Sequence, residues 1–249
     1  RILSDFSSST PEPNVIAGSA VTLSASGFDV ILTDPPYYDA IPYSDLMDFF
    51  YVWLRRTLFG SSPTIDAIFH KELSPKWDRE MSDGELIDDA SRFNGDKRQS
   101  RAAYENGMFR AFQSAGIALN DSGRMVVVFA NKQPDAWGAL VSAMIRAGFV
   151  VDGSWPVMTE MRGGVRNYGR ASLGSSVWLV CRKRLETARP GWDNHVLDEM
   201  HRNITQKLRE FWDAGIRGPD FVWAATGPAL EAYSQHPVVK KANNPGELM

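Results

Sequence analysis

The chain has 249 residues, 43% of them hydrophobic and 23% charged, with a formal net charge of −3. That is the profile of a globular protein of one large domain or one domain plus an appendage. No apolar run approaches the length of a membrane span and no signal peptide opens the sequence, so no membrane partner is expected and the cytoplasm is the expected location. A single cysteine, Cys181, excludes an internal disulfide and a cysteine-based zinc cluster, and the four histidines show no metal-ligand spacing.

Residues 1–13, Ser-rich and then Pro-Glu-Pro, read as a loop or tail. Asn14 to Ala20 is a short strand candidate, and Val21 to Gly27 a linker into a buried strand, Phe28–Thr33, which runs straight into Asp34-Pro35-Pro36-Tyr37. Ser44 is placed to cap a helix from about Asp45 to Leu58. Its middle, Phe49 to Leu54, is apolar nearly all round, so the helix is expected to be buried or covered by a partner. Residues 59–98 lose periodicity and carry many charges, as an inserted, mobile excursion does; a target-recognition element, a lid and a plain solvated loop all fit.

Periodicity then returns. Tyr104, Met108, Phe112, Ala115 and Leu119 mark one helical face, and Arg124–Ala130 is a buried strand. Trp137, Leu140, Val141 and Met144 mark the next helix, ended by Gly148. Phe149–Thr159 and Val177–Arg184 are strands, expected to be antiparallel, joined by a Gly- and Arg-rich loop. This order describes an α/β fold, the second half of a doubly wound sheet. Leu197, Met200, Ile204, Leu208 and Phe211 define a long amphipathic helix, and the apolar Phe221–Ala225 leads through Gly227-Pro228 into another. The expected division is residues 1–186, with 59–98 inserted, and a mainly helical, truncated extension over 187–249. Opening at Arg1, the chain is expected to be part of a longer protein.

Asp34-Pro35-Pro36-Tyr37 carries the most chemistry. Each proline biases the residue before it toward extended backbone and brings no N–H of its own, so the Asp34 carboxylate and the Pro35 carbonyl become rigid acceptors in an outward-facing turn. The nitrogen of an exocyclic nucleobase amine is a poor nucleophile because its lone pair is delocalised into the ring. Two acceptors, each taking one N–H, pull it toward tetrahedral geometry and aim the lone pair at a methyl donor. Tyr37 supplies a flat face on which an extruded base can stack. The position fits as well, since ligands of open α/β sheets bind beyond the carboxyl ends of the strands.

Asp34 to Asp39, with Ile41 to Leu46 and Phe49 to Arg56, resembles a family of large prokaryotic adenine-specific DNA methylases that carry a zinc-ribbon domain and occur in anti-phage defence islands. Val128 to Lys132, Ser154 to Glu160, Ser175-Ser176 with Val180 to Arg184, and Gly218 to Tyr233 extend the resemblance over most of the chain from Asn14 onward. It implies a partial, Rossmann-like methyltransferase sheet, S-adenosylmethionine as cofactor, double-stranded DNA as partner and, in a defence setting, further subunits. It also implies that Asp34 and the Pro35 carbonyl accept the amine hydrogens, with Pro36 and Tyr37 completing the catalytic motif. Tyr38, Asp39, Tyr43, Asn131 and Lys132 are candidates for lining the base pocket. Arg162, Arg166 and Arg170, in the glycine-rich loop, are candidates for DNA phosphates.

Two features depart from the family. Its glycine-rich cofactor turn lies upstream of the motif, and none precedes Asp34; the weak downstream candidate is Thr226-Gly227-Pro228, so the cofactor residues are unassigned. The zinc ribbon is absent, and no metal is expected. The isolated chain is therefore expected to be inactive, holding the substrate half of the site. An RNA amino-methyltransferase, cytosine N4 chemistry (which more often carries Ser in place of the Asp) and a non-catalytic DNA-recognition subunit are the alternatives.

Overall fold

The structure, a computed structural model, describes residues 13–16, 18–39, 41–70, 76–158, 175–215, 221 and 225–249. Its centre is β4 (Leu119–Phe129), whose run of three β-branched valines suits a strand buried on both faces. Parallel to it lies β1 (Phe28–Thr33), with Ile31 opposite Met125 and Thr33 opposite Val127. On the other side come β6 (Ser175–Lys183) and then β5 (Phe149–Met158), both pairings antiparallel. The order β1-β4-β6-β5 makes a mixed α/β sheet in which the last two strands are the expected antiparallel pair.

Among the described residues six helices accompany it: α1 (Tyr43–Leu58), α2 (Pro63–Phe69), α3 (Lys97–Ala118), α4 (Pro134–Arg146), α5 (Asp193–Asp213) and α6 (Thr226–Ser234). α3 starts where Asp96 accepts from the amides of Arg98 and Gln99, satisfying donors that open every helix. It buries Tyr104, Met108, Phe112 and Ala115, the face read from the sequence, against Leu140 and Met144 of α4 and Met125 and Phe129 of β4. No helix among the described residues is long and apolar enough to cross a membrane.

Several expectations are corrected. No strand forms over the described residues between Asn14 and Ala20; a single 3-10 turn, Ala20–Thr22, stands at its end, capped by Ser19. β1 is not buried. It has a partner on one side only, and Val30 and Leu32 are 62% and 61% exposed. α1 begins at Tyr43, one residue before the expected cap, and the Ser44 hydroxyl donates to Glu85 instead (2.6 Å). None of the residues of α1 is buried: Phe50 is 57% and Trp53 53% exposed, the short α2 being the main element among the described residues that packs beside it.

Residues 59–98 are not featureless. They form α2, a hairpin of β2 (Trp77–Asp78) and β3 (Asp83–Gly84), and a 3-10 turn at Ala90–Phe93. Side chain–backbone bonds of Asp78, Asp83 and Asp89 stabilise them, a local chemistry with no hydrophobic period to read. Among its described residues the C-terminal region is mainly helical, and to α5 and α6 it adds a small sheet of β7 (Gly191–Trp192), β8 (Val239–Lys241) and β9 (Asn244–Leu248).

Candidate functional site

β1 and β4 are parallel, so the segments that follow them, Asp34 to Asp39 and Ala130 to Gln133, emerge at the same edge of the sheet. The two segments are tied together. Asn131 Nδ2 donates to the Tyr37 carbonyl (3.0 Å), while its Oδ1 accepts from the Gln133 amide (2.8 Å). Gln133 Nε2 reaches both oxygens of Asp39 at 3.2 and 3.0 Å, and the Trp137 indole N–H fixes the Asn131 carbonyl at 2.9 Å. Asn131 is buried and its amide is committed to the loop, which makes it a residue that shapes the site.

From the other side the loop is held by α3 and by the end of the insertion. The Tyr104 hydroxyl donates to the Pro36 carbonyl at 3.0 Å, and the Tyr38 amide turns back to the same oxygen at 2.9 Å. The Asp88 amide donates to the Tyr38 carbonyl at 3.1 Å. Asp88 is in turn held by the hydroxyl of Ser100, a fully buried residue one helical turn before Tyr104.

Tyr38 has φ 63°, a left-handed conformation that costs a side-chain-bearing residue roughly 1–2 kcal/mol. Burial of its ring offsets this: Tyr38 is 6% exposed and meets Tyr104, 1% exposed, edge-to-face at 5.1 Å. Burial, followed by the neighbouring Asp88 carboxylate, pushes the Tyr38 phenol well above its ordinary value; burial likewise raises Tyr104. Both phenols therefore keep their protons and serve as donors.

The carbonyls of Pro36, Tyr37 and Tyr38 are thus each engaged by the scaffold. No hydrogen bond among the described residues is made to the Asp34 carboxylate, which is exposed, or to the carbonyl of Pro35, a residue that is buried and so does not face outward as expected. Tyr37 is half-buried, its ring edge-to-face with Phe129 at 5.3 Å. Asp39 and Lys132 are exposed beside the loop, whereas Tyr43 opens α1 and is half exposed. Arg162, Arg166 and Arg170 lie outside the described residues, as do Thr159 and Glu160.

Asp88, Ser100, Tyr104, Gln133 and Trp137 were not legible as site residues. Tyr104 and Trp137 sit in the core period, and only their polar tips, which buried Tyr and Trp ordinarily pair, hinted at more. The glycine turn weighed for a cofactor has a packing role in the structure. A Cβ on Gly227 would stand 1.7 Å from Ser154 Oγ, so the glycine lets α6 press against β5. Among the described residues no glycine-rich turn follows a strand of the main sheet. No family model matches the chain, and no curated protein matches it.

Proposed function

We propose that this chain carries the substrate side of an S-adenosylmethionine-dependent methyltransferase acting on the N6 amine of a flipped adenine in double-stranded DNA. The observation that carries the reading is the division of labour in the loop: three successive carbonyls are committed to Tyr104, Asn131 and Asp88, and the Asp34 carboxylate and Pro35 carbonyl are left to accept. The half-sheet, with its parallel β1–β4 pair and antiparallel β5–β6 pair, is read as part of a Rossmann-like methyltransferase domain.

The adenine amine donates one N–H to Asp34 and one to the Pro35 carbonyl, which directs the nitrogen lone pair away from the ring plane. The base rests against Tyr37. When the N–CH₃ bond forms, the methylated amine becomes acidic and releases a proton to Asp34 or to water. The cofactor would supply an electrophilic methyl group, whose bond to sulfur breaks as the bond to nitrogen forms. The part derived for the described residues is to hold and orient the amine.

The second reading is a DNA-recognition subunit without catalysis. Single-turnover methylation of an adenine-containing duplex by the natural full-length polypeptide, read by nucleoside analysis, separates the two. Methyladenine is expected, and Asp34→Ala should lower its rate on the order of a hundred- to a thousand-fold while DNA affinity is kept. A wild-type rate for Asp34→Ala would remove the basis of the proposal. Product on RNA alone would move the activity to an RNA amino-methyltransferase, and DNA binding without product would favour the recognition subunit.

A further inference from the structure

The hairpin β2–β3 is two-faced. Trp77 and Arg79, two residues apart, line a cleft against α3, whereas Asp78, Asp83 and Glu85 line the cavity on the opposite side, next to Pro36. The alternation follows the strand period, and it sorts the charge: acids toward the loop, arginines toward α3. The cleft has a volume of about 510 Å³, within the range of small-molecule sites. Trp77, Phe93, Arg79, Arg110, Gln99 and Asn106 line it, and Ala102 and Ala103 keep the helix side low.

Two rings stand at one end, Trp77 and Phe93, with centroids 5.7 Å apart and inclined by 55°. Phe93 is buried and Trp77 half-buried, so Phe93 backs Trp77 and Trp77 remains accessible. The guanidinium groups donate only to backbone carbonyls, Arg110 to Ser82 at 2.6 Å and Arg79 to Arg92 at 3.4 Å. Neither has a carboxylate partner among the described residues, although acids flank Arg79 in sequence. Asp78 and Asp83 are turned back onto the hairpin, accepting from the amides of Glu80, Met81 and Gly84. A half-buried indole, two guanidiniums with donors to spare and two amide side chains suit a planar base joined to an anion.

We propose that this cleft binds one nucleotide of a DNA strand, its base stacked on Trp77 and its phosphate held by Arg79 and Arg110. Gln99 and Asn106 hydrogen-bond the edge of the base. The nucleic-acid reading above supplies only the source of the ligand; the ligand's chemistry comes from the cleft. The insertion thereby acquires a role, gripping the strand away from the reacting amine.

The test is fluorescence anisotropy of a short labelled single-stranded oligonucleotide against the full chain over a series of KCl concentrations. Trp77→Ala should weaken binding on the order of ten- to a hundred-fold, and Trp77→Phe should retain most of it. Replacing Arg79 and Arg110 together by Ala should make the salt slope shallower by roughly 0.7, the share of one phosphate on a single strand, and Arg110→Lys, which keeps the charge, should not. The pair Arg202→Ala and Arg209→Ala on α5 removes the same charge far along the sequence and should leave the slope alone.

If that control pair costs as much as the cleft pair, attraction is diffuse and the proposal falls. It falls too if Trp77→Phe is as weak as Trp77→Ala. Adenosine monophosphate competing at the oligonucleotide's own concentration would make the cleft a free-nucleotide site and overturn the strand assignment. A Trp77-dependent affinity with no methylation supports the cleft while the methyltransferase reading fails, and methylation with normal binding by Trp77→Ala does the reverse.

Discussion

Tyr104→Phe removes one oxygen from the centre of the molecule and tests whether α3 aims the Asp34–Tyr37 loop. The ring is 1% exposed and stays in place, so no cavity opens. The lost bond is the 3.0 Å donation to Pro36, whose carbonyl still receives the Tyr38 amide at 2.9 Å and is not orphaned. A neutral hydrogen bond contributes about 0.5–1.5 kcal/mol net, and the surviving partner places this one near 1 kcal/mol. For a chain of this size that corresponds to a Tm lower by about 2–4 °C, measurable by calorimetry.

The larger effect belongs on the rate. The Pro35 carbonyl lies one peptide from the freed oxygen, and misplacement of a reacting group by about 1 Å costs on the order of a hundredfold. A partial shift should lower kcat for adenine methylation by about tenfold with DNA affinity unchanged. Ser100→Ala, acting through Asp88 and the Tyr38 carbonyl, should move kcat in the same direction. If Tyr104→Phe shows the expected drop in Tm and a wild-type kcat, the hydroxyl stabilises the fold and does nothing for the loop.

Other outcomes follow from single features. Burial alone would raise the Glu85 carboxyl, but bonds from Ser44 and Arg92 outweigh it and hold the group below its ordinary 4.5. A depressed folded value means stability that is present above the unfolded value and lost as pH falls through the folded one; urea titrations below pH 4.5 should show this loss, and Glu85→Gln should flatten it. Burial pushes the Cys181 thiol up to about 12, so thiol reagents should label it only when the protein unfolds. Gly227→Ala forces Ser154 and α6 apart and should cost about 1–3 kcal/mol in denaturant unfolding, with no loss of cofactor affinity; a selective loss of that affinity would return the turn to the cofactor.

The elements of the main sheet were legible because their residues repeat. The Tyr104–Met108–Phe112 face is buried along one side of α3, which leaves a helical period, and Val126–Val128 in β4 read as a continuous apolar run. The loop was legible for another reason: two prolines restrict the backbone strongly enough to expose the acceptors from sequence alone. What escaped depends on long-range pairing. Gln133 meets Asp39 across 94 residues and Tyr104 meets Pro36 across 68, and neither partner signals the other locally. β1 is exposed where burial was expected, and of the two expectations for α1, burial or cover by a partner, the first is not met: an apolar run specifies that a surface prefers cover, and the cover is not found among the described residues.

The bare helix α1 bears on how the chain opens. Its backbone bonds are backed by no buried side chain, whereas those of β4 are surrounded by the core, so the two differ in local stability even though they belong to one chain. A helix of this length is marginal in water on its own propensity. In hydrogen exchange the amides of α1 should trade with solvent through local fraying, and those of β4 only when the whole domain opens. Any surface that came to cover α1 would therefore gain contact area and also complete a segment's folding, so its association would carry the heat-capacity change of folding along with that of docking.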